Sequence, residues 1–318
     1  MNHSTNTPMR VAILDDYQNV ALTSADWSPV AALAEITVFR DHVFDEDELV
    51  ERLAPFDVIM VMRERTPLPR NVIERLPRLK MIASTGAFNA SIDMAAAADA
   101  GIHVAHTSGT VASTVELTWA LILGASRHLV TERQAVADGG WQTTVGRELD
   151  RRVLGVLGLG RIGSRIAKIG AAFGMDVVAW STNLTADAAA ESGARYLPRD
   201  EFFGSADVLS IHLKLGERTR GLVGAAELAS MKRSALLVNT SRGPIVDEGA
   251  LIEALRSRSI AGAALDVFDV EPLPADHPLR TLDNVLATPH IGYVADRPYR
   301  IFFRDAAAAI AEWLQRAQ

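Results

Sequence analysis

Three side chains suited to proton transfer or to holding an anion each lie a few residues beyond an apolar run in the second half of the sequence. They are Arg242, Glu271 and His290, and Asp266 lies at the end of the run that precedes Glu271. If these runs are parallel strands, all four residues lie at the carboxyl edge of one sheet, where open α/β sheets bind ligands. Singly, each has a structural alternative, such as a surface ion pair or a structural histidine. Their shared edge favours a functional site.

A glycine-rich turn, GLGRIG (158–163), directly follows the apolar run RVLGVLG and begins a helical pattern. Its spacing predicts a dinucleotide site: Gly158 makes a tight turn, Gly160 lets the backbone approach a pyrophosphate, and Gly163 lets helix and strand pack closely. The N–H groups and the positive dipole end of the helix that follows suit the same anion. A glycine turn in some other βα unit is the structural alternative.

Short apolar runs alternate with helical patterns along the chain, which predicts parallel sheets covered by helices. Five runs in the first third read as strands: 9–14, 36–39, 57–61, 80–84 and 102–105. From residue 152, six more follow: RVLGVLG, DVVAW, DVLSIHL, ALLVN, IAGAALDVF and NVLATP. Six strands suffice for a dinucleotide fold. The pattern also predicts a buried or interface helix over 111–129 and a last helix over 298–318.

Composition limits the remaining possibilities. The chain has 318 residues, which favours two domains, and its net charge of −7 gives no electrostatic footprint for nucleic acid or an anionic membrane. No apolar run reaches the length of a membrane span. The absence of cysteine excludes disulfides and thiolate chemistry, and it fits a reducing cytoplasm. We expect no metal site, and we expect Met1–Pro8 to be a disordered tail without a signal peptide.

Together, GLGRIG, NTSRGPIVDEGAL, DVFDVEP and TPHIG, in this order, resemble the D-isomer-specific 2-hydroxyacid dehydrogenase family. The similarity extends over nearly the whole chain, through MRERTPL, LPRLKMIASTGAFNASID and VELTWALILG, the last of which resembles the family's long dimer-interface helix. The resemblance implies two doubly wound parallel-sheet domains and a homodimer. One is a flavodoxin-like substrate domain of residues 1–106 plus 291–318. The other is a Rossmann NAD(P)-binding domain of residues 107–290.

The resemblance also implies roles for individual residues. His290 matches the family's acid/base, Glu271 its carboxylate partner, and Arg242 the group that grips the substrate's carboxylate and carbonyl. Asp266 matches the acid that contacts the nicotinamide carboxamide. Arg63 matches a substrate-side arginine, and Thr85, Gly86 and Ala87 match the loop whose backbone N–H groups hold the substrate carboxylate. Arg161, Ile162 and Thr240 match further positions at the cofactor.

The implied activity is NAD(P)-dependent interconversion of a small 2-keto acid and its D-2-hydroxy acid, with glyoxylate or hydroxypyruvate favoured. D-3-phosphoglycerate dehydrogenase is an alternative within the family, although we expect the chain to lack the regulatory domain that many of those enzymes carry. The family also includes dinucleotide-sensing corepressors, which keep the residues that match Arg242, Glu271 and His290. A binding protein is therefore the alternative from a functional class other than enzymes.

Cofactor choice depends on the end of the strand DVVAW, where an NAD-specific dinucleotide fold has Asp or Glu to bind the ribose 2′-hydroxyl and repel a 2′-phosphate. Here Ser181, Thr182 and Asn183 follow Trp180 instead. They are neutral, so we expect NADPH to be accepted as well as NADH. Lys214 is a candidate for the positive charge that a 2′-phosphate needs, with a solvated surface lysine as the equally weighted alternative.

Overall fold

A computed structural model describes residues 8–317 as two units. One unit contains the chain up to Thr110 together with the segment from Ala295 onward, and the other is Val111–Val294. The sequence placed these boundaries a few residues earlier, at 106/107 and 290/291. Apart from Pro8, the expected disordered tail lies outside the described residues.

The first unit is built on a five-stranded parallel sheet in the order β2-β1-β3-β4-β5. The strands, numbered along the whole chain, are β1 (Met9–Ile13), β2 (Ala34–Val38), β3 (Val58–Val61), β4 (Met81–Ser84) and β5 (His103–His106). This order is that of flavodoxin-like folds. Strands β3 and β4 are buried at every position, as expected for strands covered on both faces.

The helices of this unit bury one apolar face each. They are α1 (Ser28–Ala31), α2 (Glu46–Leu53), α3 (Arg70–Ile73), α4 (Met94–Asp99) and the C-terminal helix α12 (Asp296–Arg316). Phe302, Phe303, Ala306 and Ile310 recur at helical spacing in α12 and are all buried. This helix packs against β4 and β5.

The second unit contains a seven-stranded parallel sheet in the order β12-β11-β10-β9-β6-β7-β8. Its strands are β6 (Val153–Leu157), β7 (Asp176–Trp180), β8 (Arg195–Tyr196), β9 (Val208–Ile211), β10 (Leu236–Asn239), β11 (Gly262–Leu265) and β12 (Val285–Ala287). Counted from β6, this is the Rossmann order 3-2-1-4-5-6 with a seventh strand. The predicted fold class of two doubly wound parallel sheets is therefore confirmed.

The helices of the second unit depart from the prediction at one place. They are α5 (Ala112–Ser126), α6 (Leu129–Ala137), α7 (Gly163–Ala172), α8 (Ala186–Glu191), α9 (Arg199–Ser205), α10 (Ala225–Ser230) and α11 (Glu248–Arg256). The single helix predicted over 111–129 ends at Ser126, because His128 adopts a left-handed conformation with φ of 52°. Helix α5 packs against β10, β11 and α7.

All seven strands of the second sheet run in the same direction, so the loops after β6, β9, β10, β11 and β12 emerge at one edge. A short 3-10 helix, Gly243–Ile245, follows β10, and another, Pro278–Arg280, precedes β12. Across residues 8–317, none of the helices combines the length and the apolarity needed to cross a bilayer.

Candidate active site

His290 and Glu271 form a close pair at the carboxyl edge of the second sheet. The His290 Nδ1 atom lies 2.5 Å from Glu271 Oε2, and the two side chains are 16% and 27% exposed. The other carboxylate oxygen of Glu271 accepts a hydrogen bond from the Phe268 N–H at 2.9 Å. With Nδ1 engaged by the carboxylate, Nε2 is the ring atom left to exchange a proton with a ligand.

The turn that carries His290 is held by Asp266, which is fully buried. The Asp266 carboxylate accepts hydrogen bonds from Thr288 Oγ1 at 2.6 Å and from the N–H groups of Ile291 and Gly292, both at 2.8 Å. Burial raises the pKa of the Asp266 carboxyl. These bonds fix the residues on both sides of His290. The predicted contact of Asp266 with the nicotinamide carboxamide stays a prediction.

Arg242 follows β10 in an extended conformation. Its backbone C=O accepts from Asn239 Nδ2 at 2.9 Å, and its Nη1 donates to the Ser241 carbonyl at 2.6 Å. The next residue, Gly243, lies against the loop after β11: a Cβ there would lie 2.0 Å from the carbonyl carbon of Phe268. This close approach brings the loop of Arg242 against the loop of Glu271.

The three glycines of the turn after β6 meet different demands. Gly158 has φ of 96°, and a Cβ there would lie 2.6 Å from the His212 carbonyl oxygen. At Gly163 a Cβ would lie 2.0 Å from the Gly158 carbonyl oxygen, so this glycine allows helix α7 to pack on the turn. Gly160 is exposed and has no neighbouring atom within 4 Å of the Cβ position.

That open space beside Gly160, in front of the N-terminus of α7, fits a dinucleotide pyrophosphate. Arg161 is exposed and Ile162 is the N-cap of α7, so both flank the same space. The Gly158 N–H donates to the Trp180 carbonyl at 2.9 Å, which ties the turn to the end of β7. The residues present therefore fit the group that the glycine spacing predicted.

The residues predicted to read the cofactor ribose lie beyond the ends of two different strands. Ser181 directly follows β7 and is half-buried, whereas Thr182 and Asn183 are exposed. Lys214 is exposed beyond β9, which pairs with β6 on the side away from β7.

The hydroxyl of Thr240 is buried and lies 2.8 Å from that of Thr118, so it links the end of β10 to α5.

The predicted substrate-side residues lie together in the first unit. Arg63 has φ of 54°, its N–H donates to Thr85 Oγ1 at 2.8 Å, and its Nη1 donates to the Thr85 carbonyl at 3.2 Å. A Cβ on Gly86 would collide with the Arg63 guanidinium at 1.6 Å. The N–H groups of Thr85 and Gly86 donate to the Val61 carbonyl and to Thr107 Oγ1.

Internal hydrogen bonds engage part of the 85–87 loop, and its predicted role at the substrate stays a prediction. Two of the three backbone N–H groups that the sequence assigned to a substrate carboxylate already have acceptors within the chain. The Arg63 guanidinium, which donates to the Thr85 carbonyl, also lies with its Nε 3.6 Å from Glu64 Oε2.

The model of the D-isomer specific 2-hydroxyacid dehydrogenase family, NAD binding domain, matches residues 119–292 of this chain. The chain belongs to this family. The predicted family is thereby confirmed, as is the prediction of an oxidoreductase that acts on a CH–OH group; of the two predicted cofactors, the family model supports NAD(H).

Relatives extend the similarity to both units. The chain is 44% identical over 230 residues to a glyoxylate reductase of Aeropyrum pernix, covering 69% of each protein. It is 31% identical to a hydroxypyruvate reductase of Blautia hydrogenotrophica, covering 96% of this chain and 97% of that one. The solved structure of a phosphoglycerate oxidoreductase from Vibrio cholerae O395 superposes with a TM-score of 0.92 at 41% identity, covering 97% of this chain and 99% of that one.

Curated D-3-phosphoglycerate dehydrogenases are also similar, and the chain spans about half of their length.

Some residues that support the site of this dehydrogenase were missed in the sequence. Thr288 and Asn239 hold the turns of His290 and Arg242, and Thr107 accepts the N–H of Gly86. A signal was present for two of them, because Thr288 lies in TPHIG and Asn239 begins NTSRGPIVDEGAL. Among the described residues, no group of three or more His, Asp or Glu side chains is arranged to hold a metal ion.

Proposed function

We propose that this protein reduces a small 2-keto acid to its D-2-hydroxy acid with NADH or NADPH, and that glyoxylate or hydroxypyruvate is the substrate. The observation that carries the proposal is the His290–Glu271 pair, 2.5 Å apart, on the sheet edge that also presents Arg242 and the glycine turn. The names of the glyoxylate and hydroxypyruvate reductases similar to this chain support the choice of substrate.

In this proposal His290 is the general acid of reduction. When bound, the nicotinamide supplies the hydride to C2 of the substrate. His290 donates its Nε2 proton to the oxygen on C2 as negative charge develops there, and general acid catalysis of this kind contributes roughly 10²- to 10⁴-fold. Glu271, at Nδ1, stabilises the charged imidazolium before the transfer and fixes the ring orientation. In the oxidative direction Nε2 accepts the proton instead.

Arg242 orients the substrate. Its planar guanidinium forms two parallel hydrogen bonds with a carboxylate or bridges the carboxylate and the 2-keto oxygen. The bonds to Ser241 and Asn239 hold the backbone and the guanidinium of Arg242 in place, which limits the entropy lost when substrate binds. Arg63 and the 85–87 loop of the first unit stay predicted substrate-side positions.

We extend the proposal to cofactor choice and to assembly. Ser181, Thr182 and Asn183 provide no carboxylate to repel a 2′-phosphate, which supports use of NADPH as well as NADH. A homodimer is supported by large apolar side chains exposed on α6 and the segment after it: Leu129, Val130, Val136, Trp141 and Val145. Sedimentation of the purified protein tests the dimer.

A second candidate substrate is D-3-phosphoglycerate, which is supported by the name of the Vibrio cholerae structure. The test is a panel of glyoxylate, hydroxypyruvate and 3-phosphohydroxypyruvate, each assayed with NADH and with NADPH. The highest kcat/KM with glyoxylate or hydroxypyruvate supports the proposal, and the highest value with the phosphorylated acid supports the second candidate. Tight cofactor binding without turnover of any acid would instead favour the corepressor-like role.

A further inference from the structure

The position of Glu271 depends on the loop that carries it, between β11 and β12. This loop is anchored in the core at Phe268 and Leu279, which are 6% and 2% exposed. Between these anchors, Pro274, Ala275 and Asp276 are all exposed. Core packing therefore fixes the two ends of the loop. In its middle, Leu273 packs partly against the core and Arg280 Nε donates to the Pro274 carbonyl at 2.7 Å, so the stretch next to Glu271 depends on few apolar contacts.

One carboxylate outside the loop contacts it at two places. Glu248, the first residue of α11, accepts a hydrogen bond from the Asp269 N–H on Oε2 at 3.4 Å, and its Oε1 lies 3.0 Å from His277 Nε2. The Glu248 and His277 side chains are only 21% and 16% exposed. Because Asp269 and His277 lie on either side of Glu271 in the loop, Glu248 joins the two flanks of the segment that holds Glu271.

The hydrogen bonds of His277 define which ring nitrogen carries the proton. Its Nδ1 accepts the Leu279 N–H at 3.3 Å, where it caps the 3-10 helix Pro278–Arg280. The Nε2 atom must therefore carry the hydrogen that is donated to Glu248. His277 connects the cap of the short helix to the carboxylate on α11.

The backbone on the other side of this contact is also closely packed. Gly243 leaves no room for a Cβ against the carbonyl of Phe268, and it lies five residues before Glu248. The segment from Arg242 to Glu248 therefore touches the loop at its beginning through Gly243 and at its end through Glu248. Movement of one loop relative to the other would separate Arg242 from Glu271.

The charges around Glu248 do not explain its position by simple attraction. Burial, followed by the negative charge of Glu248, raises the pKa of the Asp269 carboxyl. Asp247, the N-cap of α11, adds a third carboxylate that also raises the pKa of Asp269, whereas Arg220 and His277 act on this pKa in the opposite direction. The two hydrogen bonds that Glu248 accepts are thus the contacts that hold it beside like charges.

We propose that Glu248, together with His277, is a positioning residue for the acid/base pair: it holds the 269–277 loop so that Glu271 stays in contact with His290. The inference rests on the proposed function, because it assumes that Glu271 acts in catalysis through its contact with His290. Displacing a catalytic group by about 1 Å can reduce turnover by up to about 10²-fold. Loss of Glu248 is therefore expected to weaken the pair without removing either member.

The experiment compares Glu248→Ala, Glu248→Gln, His277→Asn and Glu271→Gln in the full chain. Glu248→Gln can accept only one of the two hydrogen bonds. His277→Asn keeps a good helix cap but has a side chain too short to replace the imidazole at Glu248. Glu253→Gln is the matched control, since Glu253 is exposed on the same helix.

The first measurement is the NMR chemical shift of the hydrogen on His290 Nδ1, recorded at one fixed pH without added cofactor and assigned by the signal that disappears in His290→Gln. We expect Glu271→Gln to move this signal upfield, because a hydrogen bond to a carboxylate is replaced by a weaker one to a neutral amide. Glu248→Ala and His277→Asn should move the signal part of the way, Glu248→Gln less, and Glu253→Gln not at all. The second measurement is kcat for keto-acid reduction, which should fall roughly 5- to 50-fold in Glu248→Ala with little change in KM.

The outcomes separate this inference from the proposed function. If Glu271→Gln moves the His290 Nδ1 signal but Glu248→Ala and His277→Asn both leave it at the wild-type position, the core anchors alone position the loop and the inference is overturned. If Glu271→Gln itself leaves the signal unchanged, the proposed coupling of Glu271 and His290 fails, and the inference fails with it. Thermal unfolding of each variant verifies that a lost signal does not reflect an unfolded chain.

Discussion

Adding one methyl group at two glycines of the turn after β6 should separate cofactor binding from folding. At Gly163 the new Cβ would lie 2.0 Å from the Gly158 carbonyl oxygen, whereas at Gly160 no atom lies within 4 Å. We therefore expect Gly163→Ala to destabilise the protein and Gly160→Ala to leave its stability nearly unchanged. If a pyrophosphate approaches the backbone at Gly160, Gly160→Ala should weaken dinucleotide binding while the protein stays folded.

The magnitudes follow from the contacts. Overpacking against a rigid backbone typically costs about 1–3 kcal/mol, so Gly163→Ala should lower the free energy of unfolding by an amount in this range or above it. In Gly160→Ala the methyl group would displace the pyrophosphate from the N–H groups of the turn. A hydrogen bond to a charged group contributes about 1.5–3 kcal/mol, so losing one predicts a Kd for NADH that is roughly 10- to 100-fold higher.

Urea unfolding without cofactor and calorimetric titration with NADH measure the two effects separately. Gly101→Ala is a control for the effect of adding a methyl group in open space, but φ of 67° at Gly101 gives it some backbone strain of its own. Gly140→Ala, in the segment after α6, is the better control for affinity, because it lies outside the turn. If Gly160→Ala binds NADH as tightly as the wild type, the pyrophosphate does not approach the chain at this glycine, and our account of the turn is wrong.

Four further predictions test other parts of the site. His290→Gln should keep NADH affinity and lose roughly 10²- to 10⁴-fold in turnover; near wild-type turnover in a keto-acid assay would remove His290 from the mechanism. Arg242→Lys keeps the charge but loses the planar fork, so KM should rise and kcat should fall, and unchanged kinetics would make the arginine structural. Ser181→Asp should restore discrimination in favour of NADH, and Lys214→Ala should weaken NADPH more than NADH; if Ser181→Asp alters neither KM, other residues read the ribose. Burial lowers the pKa of His212 to about 3, so the unfolded chain binds a proton that the folded one excludes as pH falls below about 6.5, and stability is lost in that range. Between pH 6.5 and pH 4 the free energy of unfolding should fall by about 3 kcal/mol because of His212 alone. Urea unfolding at the two pH values measures this loss, and His212→Gln should remove most of it. An equal loss in the wild type and in His212→Gln would show that His212 is not its cause.

The parts of the fold that depend on repeated patterns could be predicted from the sequence. Apolar runs with helical patterns between them gave the parallel sheets, and parallel strands necessarily bring the residues after their carboxyl ends to one edge. For that reason the proximity of Glu271 and His290, 19 residues apart, was predictable. Strand β8 was missed because Arg195–Tyr196 is too short to produce a periodic signal.

Other features could not be predicted because they depend on partners that are distant in the sequence. The N–H of Gly86 finds Thr107 Oγ1, 21 residues away, so its availability to a substrate is decided by tertiary structure. Likewise, Glu248 and His277 are 29 residues apart, and although Glu248 lies in NTSRGPIVDEGAL, no local pattern pairs it with His277. Hydrogen-bond satisfaction is a property of the folded chain, whereas propensity and periodicity are local.

The backbone conformation of two candidate site residues shows how the fold supports function. His290 and Arg63 have φ of 51° and 54°, in the left-handed region that non-glycine residues seldom occupy. Such a conformation persists only where surrounding contacts determine it, and these are present: Asp266 holds the two N–H groups after His290, while Thr85 and Asn89 hold the N–H and C=O of Arg63. Buried polar side chains thus hold the backbone of the residues that follow His290, and they hold the backbone of Arg63 itself. The buried groups thereby determine where these two side chains point: His290 toward Glu271, which leaves its Nε2 for the proposed proton transfer, and Arg63 toward the Thr85 carbonyl.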